Sequence, residues 1–271
     1  MPLYESPDGF VETLEWGEGD HSMILLHAAG AGPHSLSELA KALVTPGWHI
    51  VAPALHGYGK TEMHHDDLIR CHLAVANRVC DQFFKASARR AIFGHSMGGL
   101  IALQAAALRG DCHAVMAYDP ICPAVLRPTD ALDAGPLTWD RDIVADLADA
   151  VTQGEPERGV RRFIEAWNGT DWDALPGSVR DGLVARAQSL ADESTAVSYW
   201  QPDGLEKLRG QCAVTLFNGT LSPPVTTRMA TRLLELVATG NRIDIAGAGH
   251  MCPVTAGGRF AERVLARVAA N

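Results

Sequence analysis

The stretch Gly94-His95-Ser96-Met97-Gly98-Gly99 decides the fold. An apolar run, Ala91 to Phe93, precedes it, and the Ala- and Leu-rich segment Gly99 to Leu108 follows it. The pattern therefore predicts a strand, a sharp turn and a buried helix. Small residues are needed around Ser96 because such a turn brings backbone segments close together. The turn would lift the Ser96 hydroxyl above the sheet. There the positive end of the helix would stabilise developing negative charge.

Short apolar runs alternate with helical patterns on both sides of this turn. The runs that predict strands are Ser22 to His27, Trp48 to Ala52, Ala91 to Gly94, Ala114 to Tyr118, Ala213 to Phe217 and Arg242 to Ile245. This alternation is typical of a mostly parallel, doubly wound sheet with helices on both faces, so we predict an α/β fold.

The alternation stops between residues 123 and 208, where short amphipathic helical patterns follow one another. We therefore predict an α/β core at residues 1–122 and 209–271, interrupted by a helical cap at residues 123–208. This cap would carry four tryptophans: Trp139, Trp167, Trp172 and Trp200. Two interpretations of these rings stay open, because they could fill the core of the cap or line a pocket beneath it.

The chain resembles the α/β-hydrolase fold family over nearly its whole length outside the cap. The segment His27-Ala28-Ala29-Gly30-Ala31-Gly32 looks like the family's oxyanion turn, with Ala28 where glycine is usual. The segment Val51 to Gly59 resembles a structural motif of the same family. By this match, the backbone N–H groups of Ala29 and Met97 would form the oxyanion hole. The donors are backbone groups, so Ala28 is a mild departure.

The resemblance also identifies a base. Ala246-Gly247-Ala248-Gly249-His250-Met251 follows the last predicted strand, where the family places its catalytic histidine. A serine hydroxyl is a weak nucleophile at neutral pH, so an imidazole must remove its proton and later protonate the leaving group. We therefore expect His250 to be the general base for Ser96. His95 and Met97 flank the nucleophile and should contact the substrate or the cap.

The acid departs from the commoner family pattern. Many relatives carry it in a Gly-x-x-Asp turn after their seventh strand, but this chain reads Gly219-Thr220-Leu221-Ser222-Pro223-Pro224. Asp119 follows the strand that the family counts as its sixth, where haloalkane dehalogenases and some esterase relatives hold their acid, and the order Ser, Asp, His is kept. We expect Asp119 to be the acid. The alternatives are that it caps a loop before Pro120, and that Asp244 or a cap carboxylate orients the histidine.

The composition indicates which partners to expect. The 271 residues are 47% hydrophobic and 20% charged, values typical of a globular protein. The net charge of −9, without a Lys/Arg cluster, argues against nucleic acid and anionic lipid. The first residues lack the features of a secretory signal, and no apolar run approaches about 18 residues. We expect a cytoplasmic protein with a small-molecule substrate and no membrane partner, and the oligomeric state stays open.

We expect neither a metal nor an organic cofactor. The six cysteines are scattered without a Cys-x-x-Cys pair, which favours buried thiols over a disulfide framework or a zinc site. His64-His65-Asp66-Asp67 with Cys71-His72 contains metal-binding residue types, but adjacent residues rarely converge on one ion. A solvated loop that enters a helix, with Asp66 or Asp67 near its positive end, is the better interpretation.

The resemblance implies a serine hydrolase that cleaves a carboxylic ester or similar acyl bond through an acyl-enzyme. The same fold hosts other functions, so two alternatives remain. One is a C–C bond hydrolase acting on a diketone-type aromatic breakdown product. The other is a small-molecule receptor without turnover.

Overall fold

The computed structural model describes residues 2–6, 9–65 and 67–269. Within them, the strands are β1 (Leu3–Ser6), β2 (Gly9–Trp16), β3 (His21–Leu26), β4 (Trp48–Pro53), β5 (Glu62–Met63), β6 (Arg89–His95), β7 (Ala114–Tyr118), β8 (Ala213–Gly219) and β9 (Gly240–Ile245). The α-helices are α1 (Ser37–Leu43), α2 (Leu68–Phe84), α3 (Met97–Arg109), α4 (Ala131–Thr152), α5 (Pro156–Asn168), α6 (Gly177–Val184), α7 (Ala187–Tyr199), α8 (Pro224–Val237), α9 (Cys252–Thr255) and α10 (Gly257–Ala269).

These strands form one sheet in the order β1-β2-β4-β3-β6-β7-β8-β9, with β5 beside β2. The six strands from β4 to β9 in this order are parallel. At the other end, β2 pairs antiparallel with β1, β4 and β5. The predicted fold class, a mostly parallel sheet with crossover helices, is confirmed.

The side chains of β3 alternate between two hydrophobic cores, one on each face of the sheet. Met23 and Leu25 pack in the core that contains residues of α1 and α10. Ile24 and Leu26 pack in the core that contains residues of α2 and α3. All four are completely buried, and each such side chain stabilises the fold by about 1.5–3 kcal/mol. Burial on both faces explains why the strand is a continuous apolar run.

The inserted segment, residues 123–208, leaves the sheet after β7 and returns before β8. It contains the four helices α4 to α7, and α4 packs against both α5 and α7. A separate hydrophobic cluster lies within it and includes Leu147, Val160 and the fully buried Trp172. The helical character predicted for this stretch is therefore confirmed, whereas its independence as a domain stays a prediction.

Asp67 caps α2, because its carboxylate accepts a hydrogen bond of 2.9 Å from the backbone N–H of Arg70. Of the two predicted candidates for this position, Asp66 lies outside the described residues. His64 and His65 are exposed, and within the described ranges no three His, Cys, Asp or Glu side chains form a group suited to a metal ion. Five cysteines are buried and the sixth is half-buried. Among the helices described, none has the length and apolarity needed to cross a bilayer.

Candidate active site

Ser96 occupies the turn between β6 and α3, as the sequence predicts. Its φ of 57° lies in a region that residues with a side chain rarely adopt. The turn needs glycine at two neighbouring positions: a Cβ on Gly94 would overlap the carbonyl oxygen of Gly98, and a Cβ on Gly98 would overlap that of Leu26. Strain at Ser96 is therefore held in place by close backbone packing on both sides.

The three predicted catalytic side chains meet at the carboxyl end of the sheet. Ser96 follows β6, Asp119 follows β7, and His250 lies in the loop after β9. The Nε2 atom of His250 lies 3.2 Å from the Ser96 Oγ. Its Nδ1 atom lies 3.1 Å from the Asp119 Oδ2. When Nδ1–H donates to Asp119, Nε2 is free to accept the proton of Ser96.

The Asp119 carboxylate is completely buried and accepts several further hydrogen bonds. The side-chain amide of Asn218 donates to its Oδ1 at 2.9 Å, and the Gly219 backbone N–H donates to the same atom at 3.3 Å. The Ser222 hydroxyl donates to its Oδ2 at 2.6 Å. The carboxylate thus faces His250 and the end of β8 rather than capping the loop before Pro120.

Asp244, the alternative acid, does not reach this site. It lies on β9, is half-exposed, and forms an ion pair of 3.1 Å with Arg242. The turn that contains Ser222 contributes to the site in a way that the sequence did not predict. It supplies no acid, but its hydroxyl contacts the acid that comes from the neighbouring strand.

Two buried histidines hold the backbone around the site. The Nε2 of His95 lies 2.8 Å from the His250 carbonyl oxygen, and burial keeps the pKa of His95 well below its ordinary value. His95 is therefore neutral and donates from Nε2. His27 accepts from the Leu55 N–H at Nε2, 3.1 Å away, and donates from Nδ1 to the Ala28 carbonyl, 2.8 Å away. Burial lowers its pKa to about 4, so this tautomer persists at neutral pH.

The two predicted oxyanion donors face the same cavity. Ala29 and Met97 both line it, and within the described part of the chain neither backbone N–H has an acceptor. The N–H of Met97 is free because it begins α3. The His27 to Gly32 turn is closed by a hydrogen bond of 3.2 Å from the Ala31 N–H to the Ala28 carbonyl. Both donors are therefore available to a ligand beside Ser96.

A buried carboxyl group of the inserted segment contacts this turn. The backbone N–H of Gly30 donates to Glu193 on α7 at 3.1 Å and to the Tyr58 hydroxyl at 2.6 Å. The Tyr58 hydroxyl in turn donates to Glu193 at 2.7 Å. His72, also buried, lies 3.5 Å from the other Glu193 oxygen. Burial raises the pKa of Glu193 to about 7 and lowers that of His72 to about 3.

A cavity of about 460 Å³ opens above Ser96 and His250. Its walls come from the loops of the core and from the inserted segment, and apolar side chains dominate them. They include Ile121, Val144, Phe163, Ile164, Trp167 and Leu190. The polar members include Asp140, Ser194 and Ser198. A cavity of this size suits a small molecule with a largely hydrocarbon surface.

Of the four tryptophans in the inserted segment, Trp167 lines the cavity. Its ring centre lies 5.2 Å from that of His250. The Trp139 ring packs edge-on against the Trp167 ring, with 5.2 Å between their centres, whereas Trp172 fills the core of the inserted segment. The Arg70 guanidinium lies over the Trp200 ring, with its central carbon 5.9 Å from the centre of that ring. Trp167 thus lines the pocket and Trp172 fills a core, so each of the two interpretations holds for some of the four rings.

Several residues of the site were not predicted from the sequence. Ser222, Asn218, Tyr58, Glu193 and Asp140 reach it only through folding. Asn218 and Ser222 had a usable signal, since both lie at the end of a predicted strand beside the acid. Glu193 and Asp140 carried none, because acidic residues on amphipathic helices are usually solvated.

The family-level comparison covers most of the chain. A model of the alpha/beta hydrolase family matches residues 23–263. A search of curated proteins finds no significant match for this sequence.

Solved structures with the same architecture include several hydrolases. An esterase from Exiguobacterium antarcticum has a TM-score of 0.74 at 17% identity, with 96% of this chain and 96% of that chain covered. An enol-lactonase from Burkholderia xenovorans LB400 has a TM-score of 0.74 at 15% identity, covering 99% and 100%. Epoxide Hydrolase A from Mycobacterium thermoresistibile has a TM-score of 0.72 at 21% identity, covering 99% and 97%.

At these identities the structural likeness establishes the fold alone, whereas the family model spans both the Ser96 turn and the loop that carries His250. The chain therefore belongs to the alpha/beta hydrolase family.

Proposed function

We propose that this protein is a serine hydrolase that cleaves a carboxylic ester, or a similar acyl bond, of a small molecule. One observation carries the proposal: the Ser96 Oγ and the Asp119 Oδ2 lie 3.2 Å and 3.1 Å from opposite nitrogens of the His250 ring. These are the contacts that a nucleophile, its base and an orienting acid need. The apolar cavity above them suits the hydrocarbon part of such a substrate.

In the proposed acylation, the Ser96 Oγ attacks the carbonyl carbon of the ester while its proton moves to the Nε2 of His250. The carbonyl oxygen becomes an oxyanion and accepts hydrogen bonds from the backbone N–H groups of Ala29 and Met97. Asp119 keeps Nδ1–H directed at itself and stabilises the imidazolium. The C–O bond then breaks, and the leaving alcohol takes the proton from Nε2.

In the proposed deacylation, water takes the place of the alcohol. His250 removes a proton from the water as its oxygen attacks the acyl carbon, and the same two N–H groups stabilise the second oxyanion. Collapse returns the proton to the Ser96 Oγ and releases the carboxylic acid. Every proton moves between side chains, substrate and water, so the proposal invokes no metal or organic cofactor.

The inserted segment, residues 123–208, covers the proposed reaction site. We propose that it acts as a cap domain, since its residues supply one wall of the cavity while Ser96, Asp119 and His250 belong to the core. Water exclusion by such a cap would strengthen the hydrogen bonds to the oxyanion. We propose further that the protein acts in the cytoplasm.

The proposal is tested by Ser96→Ala against a panel of p-nitrophenyl esters of graded acyl length. The variant should fold normally and lose at least about 10³-fold in kcat, because oxyanion binding alone leaves only a small part of triad catalysis. A fluorophosphonate probe should label Ser96 in the parent protein. Equal ester turnover in the variant, or labelling at another residue, would contradict the proposal. Parallel assay of a diketone distinguishes C–C cleavage, and absence of all turnover favours a receptor.

A further inference from the structure

The cavity contains a buried carboxyl group that the proposed reaction does not use. Asp140 lies on α4, is 1% exposed, and forms part of the cavity wall. Its one hydrogen bond within the described residues is a long one, 3.4 Å, from the Ser198 hydroxyl on α7. No cationic side chain of that part of the chain forms an ion pair with it. Burial raises the pKa of Asp140 to about 7.

A second buried aspartate on the same helix, Asp133, provides a comparison, because arginine side chains pair with it. Asp133 is completely buried and receives hydrogen bonds from Arg228 at 2.8 Å and from Arg232 at 2.7 Å. Such partners offset the cost of removing a carboxylate from water. Asp140 lies about two turns further along α4 and has no such partners. Among the described residues no cation offsets the cost of its burial, and the carboxyl group can accept a further hydrogen bond from a group inside the cavity.

We propose that Asp140 and Ser198 bind a hydrogen-bond donor, a hydroxyl or an ammonium group, on the substrate. The inference rests on the proposed hydrolase function and adds to it a class of substrate: esters whose hydrocarbon chain carries such a donor away from the ester bond. The apolar wall around Trp167 and Phe163 contacts the hydrocarbon chain of the substrate, and the donor group at the end of that chain binds Asp140. A substrate with a methyl group in this place leaves the carboxyl group with only its long hydrogen bond from Ser198, which disfavours binding.

The test compares three series of p-nitrophenyl esters that end in a methyl, a hydroxyl or an ammonium group, each at graded chain lengths. At the length that spans the cavity, the parent protein should show a kcat/KM at least about tenfold higher for the hydroxyl or the ammonium ester than for the methyl ester. Two variants of Asp140 distinguish a hydroxyl donor from an ammonium donor. Asp140→Leu should abolish either preference, whereas Asp140→Asn should keep a preference for hydroxyl and lose one for ammonium, because its amide carries no charge.

Asp142→Asn is the matched control, since Asp142 lies on the same helix but is exposed to solvent. It should keep the preference of the parent protein. If Asp140→Leu does not fold, Ser198→Ala should lower the preference several-fold. Equal kcat/KM for all three termini at every length, or a preference that survives Asp140→Leu in a folded protein, overturns the inference. Failure of the proposed function looks different, because the parent protein would then turn over none of the three series.

Discussion

Asp119 is the residue on which the geometry of the site depends most. It is a buried carboxylate that pairs with no Lys or Arg among the described residues, and it is stabilised by neutral donors from Asn218, Gly219 and Ser222 and by the His250 ring. Hydrogen bonds from neutral donors can take the place of an ion pair for a buried carboxylate. Its φ of 42° adds backbone strain at the same position.

Asp119→Asn should lower kcat by up to about 10⁴-fold while KM changes little, because an amide in this place stabilises the wrong tautomer of His250. The measurement is steady-state hydrolysis of the best ester of the graded panel, with thermal unfolding to establish folding. Ser222→Ala is the graded comparison: it removes one donor to the carboxylate and should cost about tenfold. A near-normal kcat in folded Asp119→Asn would remove Asp119 from the mechanism.

At the scale of elements, α7 joins the inserted segment to the oxyanion turn. Glu193 contacts the Gly30 N–H and the Tyr58 hydroxyl, while Ser194 and Ser198 of the same helix face the cavity. The proposed oxyanion donor Ala29 lies next to Gly30 in the chain. Under the proposed mechanism Glu193 is a positioning residue, since it would act on the oxyanion through the turn.

Glu193→Leu should lower kcat about 10- to 100-fold with a smaller change in KM, because the Gly30 N–H loses its carboxyl acceptor and the turn relaxes. Glu193→Gln should restore most of this loss, since its carbonyl oxygen can accept the same bonds. Asp192→Asn, at an exposed neighbour on α7, is the control. The assignment fails if the Leu and Gln variants lose kcat equally, or if only stability changes.

Substitution of the tryptophans in the inserted segment should have two different effects, one on the ester profile and one on stability. Trp167→Phe should change the relative rates along the acyl-length panel, because this ring lines the cavity. Trp172→Phe should leave the panel unchanged and lower the free energy of unfolding by about 1–3 kcal/mol, because its ring fills a core. Urea unfolding and the ester panel measure both effects. An identical ester profile for Trp167→Phe would contradict its place in the substrate cavity.

For the molecule as a whole, two buried acids make stability depend on pH. Burial raises the folded-state pKa of Glu193 and that of Asp140 to about 7, above the values of the unfolded chain. Between about pH 4 and 7 the folded state therefore holds protons that the unfolded state has released. Each acid contributes a loss of stability of up to about 3–4 kcal/mol as pH rises through this window, with no further change above it.

Glu193→Gln and Asp140→Asn should each remove one of these contributions. Buried histidines such as His72 have a lowered pKa and make stability rise with pH up to about 6.5, so the slope of the parent protein alone is not informative. The measurement is the free energy of unfolding in urea at pH 5 and pH 8 for the parent and each variant. The variants should gain stability relative to the parent at pH 8. An equal difference at both values of pH would show that neither acid titrates in this range.

The parallel core and the Ser96 turn could be predicted from the sequence because their signals are local. A strand buried on both faces must be apolar along its length, and a turn that strains Ser96 needs glycine beside it. The position of His250 after the last strand can be read from the same pattern, whereas its role as the base follows from the family resemblance. The antiparallel strands β1, β2 and β5 were missed, because β2 mixes polar and apolar residues and because β1 and β5 are only four and two residues long.

The sequence by itself determined the class of fold, and its resemblance to a family pointed to the serine, histidine and aspartate that the site brings together. Only the tertiary structure decided how the rest of the site is assembled. Glu193 and Gly30 are 163 residues apart, and Asp119 and Ser222 are 103 apart. Contacts over such separations depend on how helices pack across the sheet, which no periodicity along the chain encodes. The same reason explains why Trp167 rather than Trp172 faces the cavity, and why Asp140 is buried there with no ion pair to any described residue.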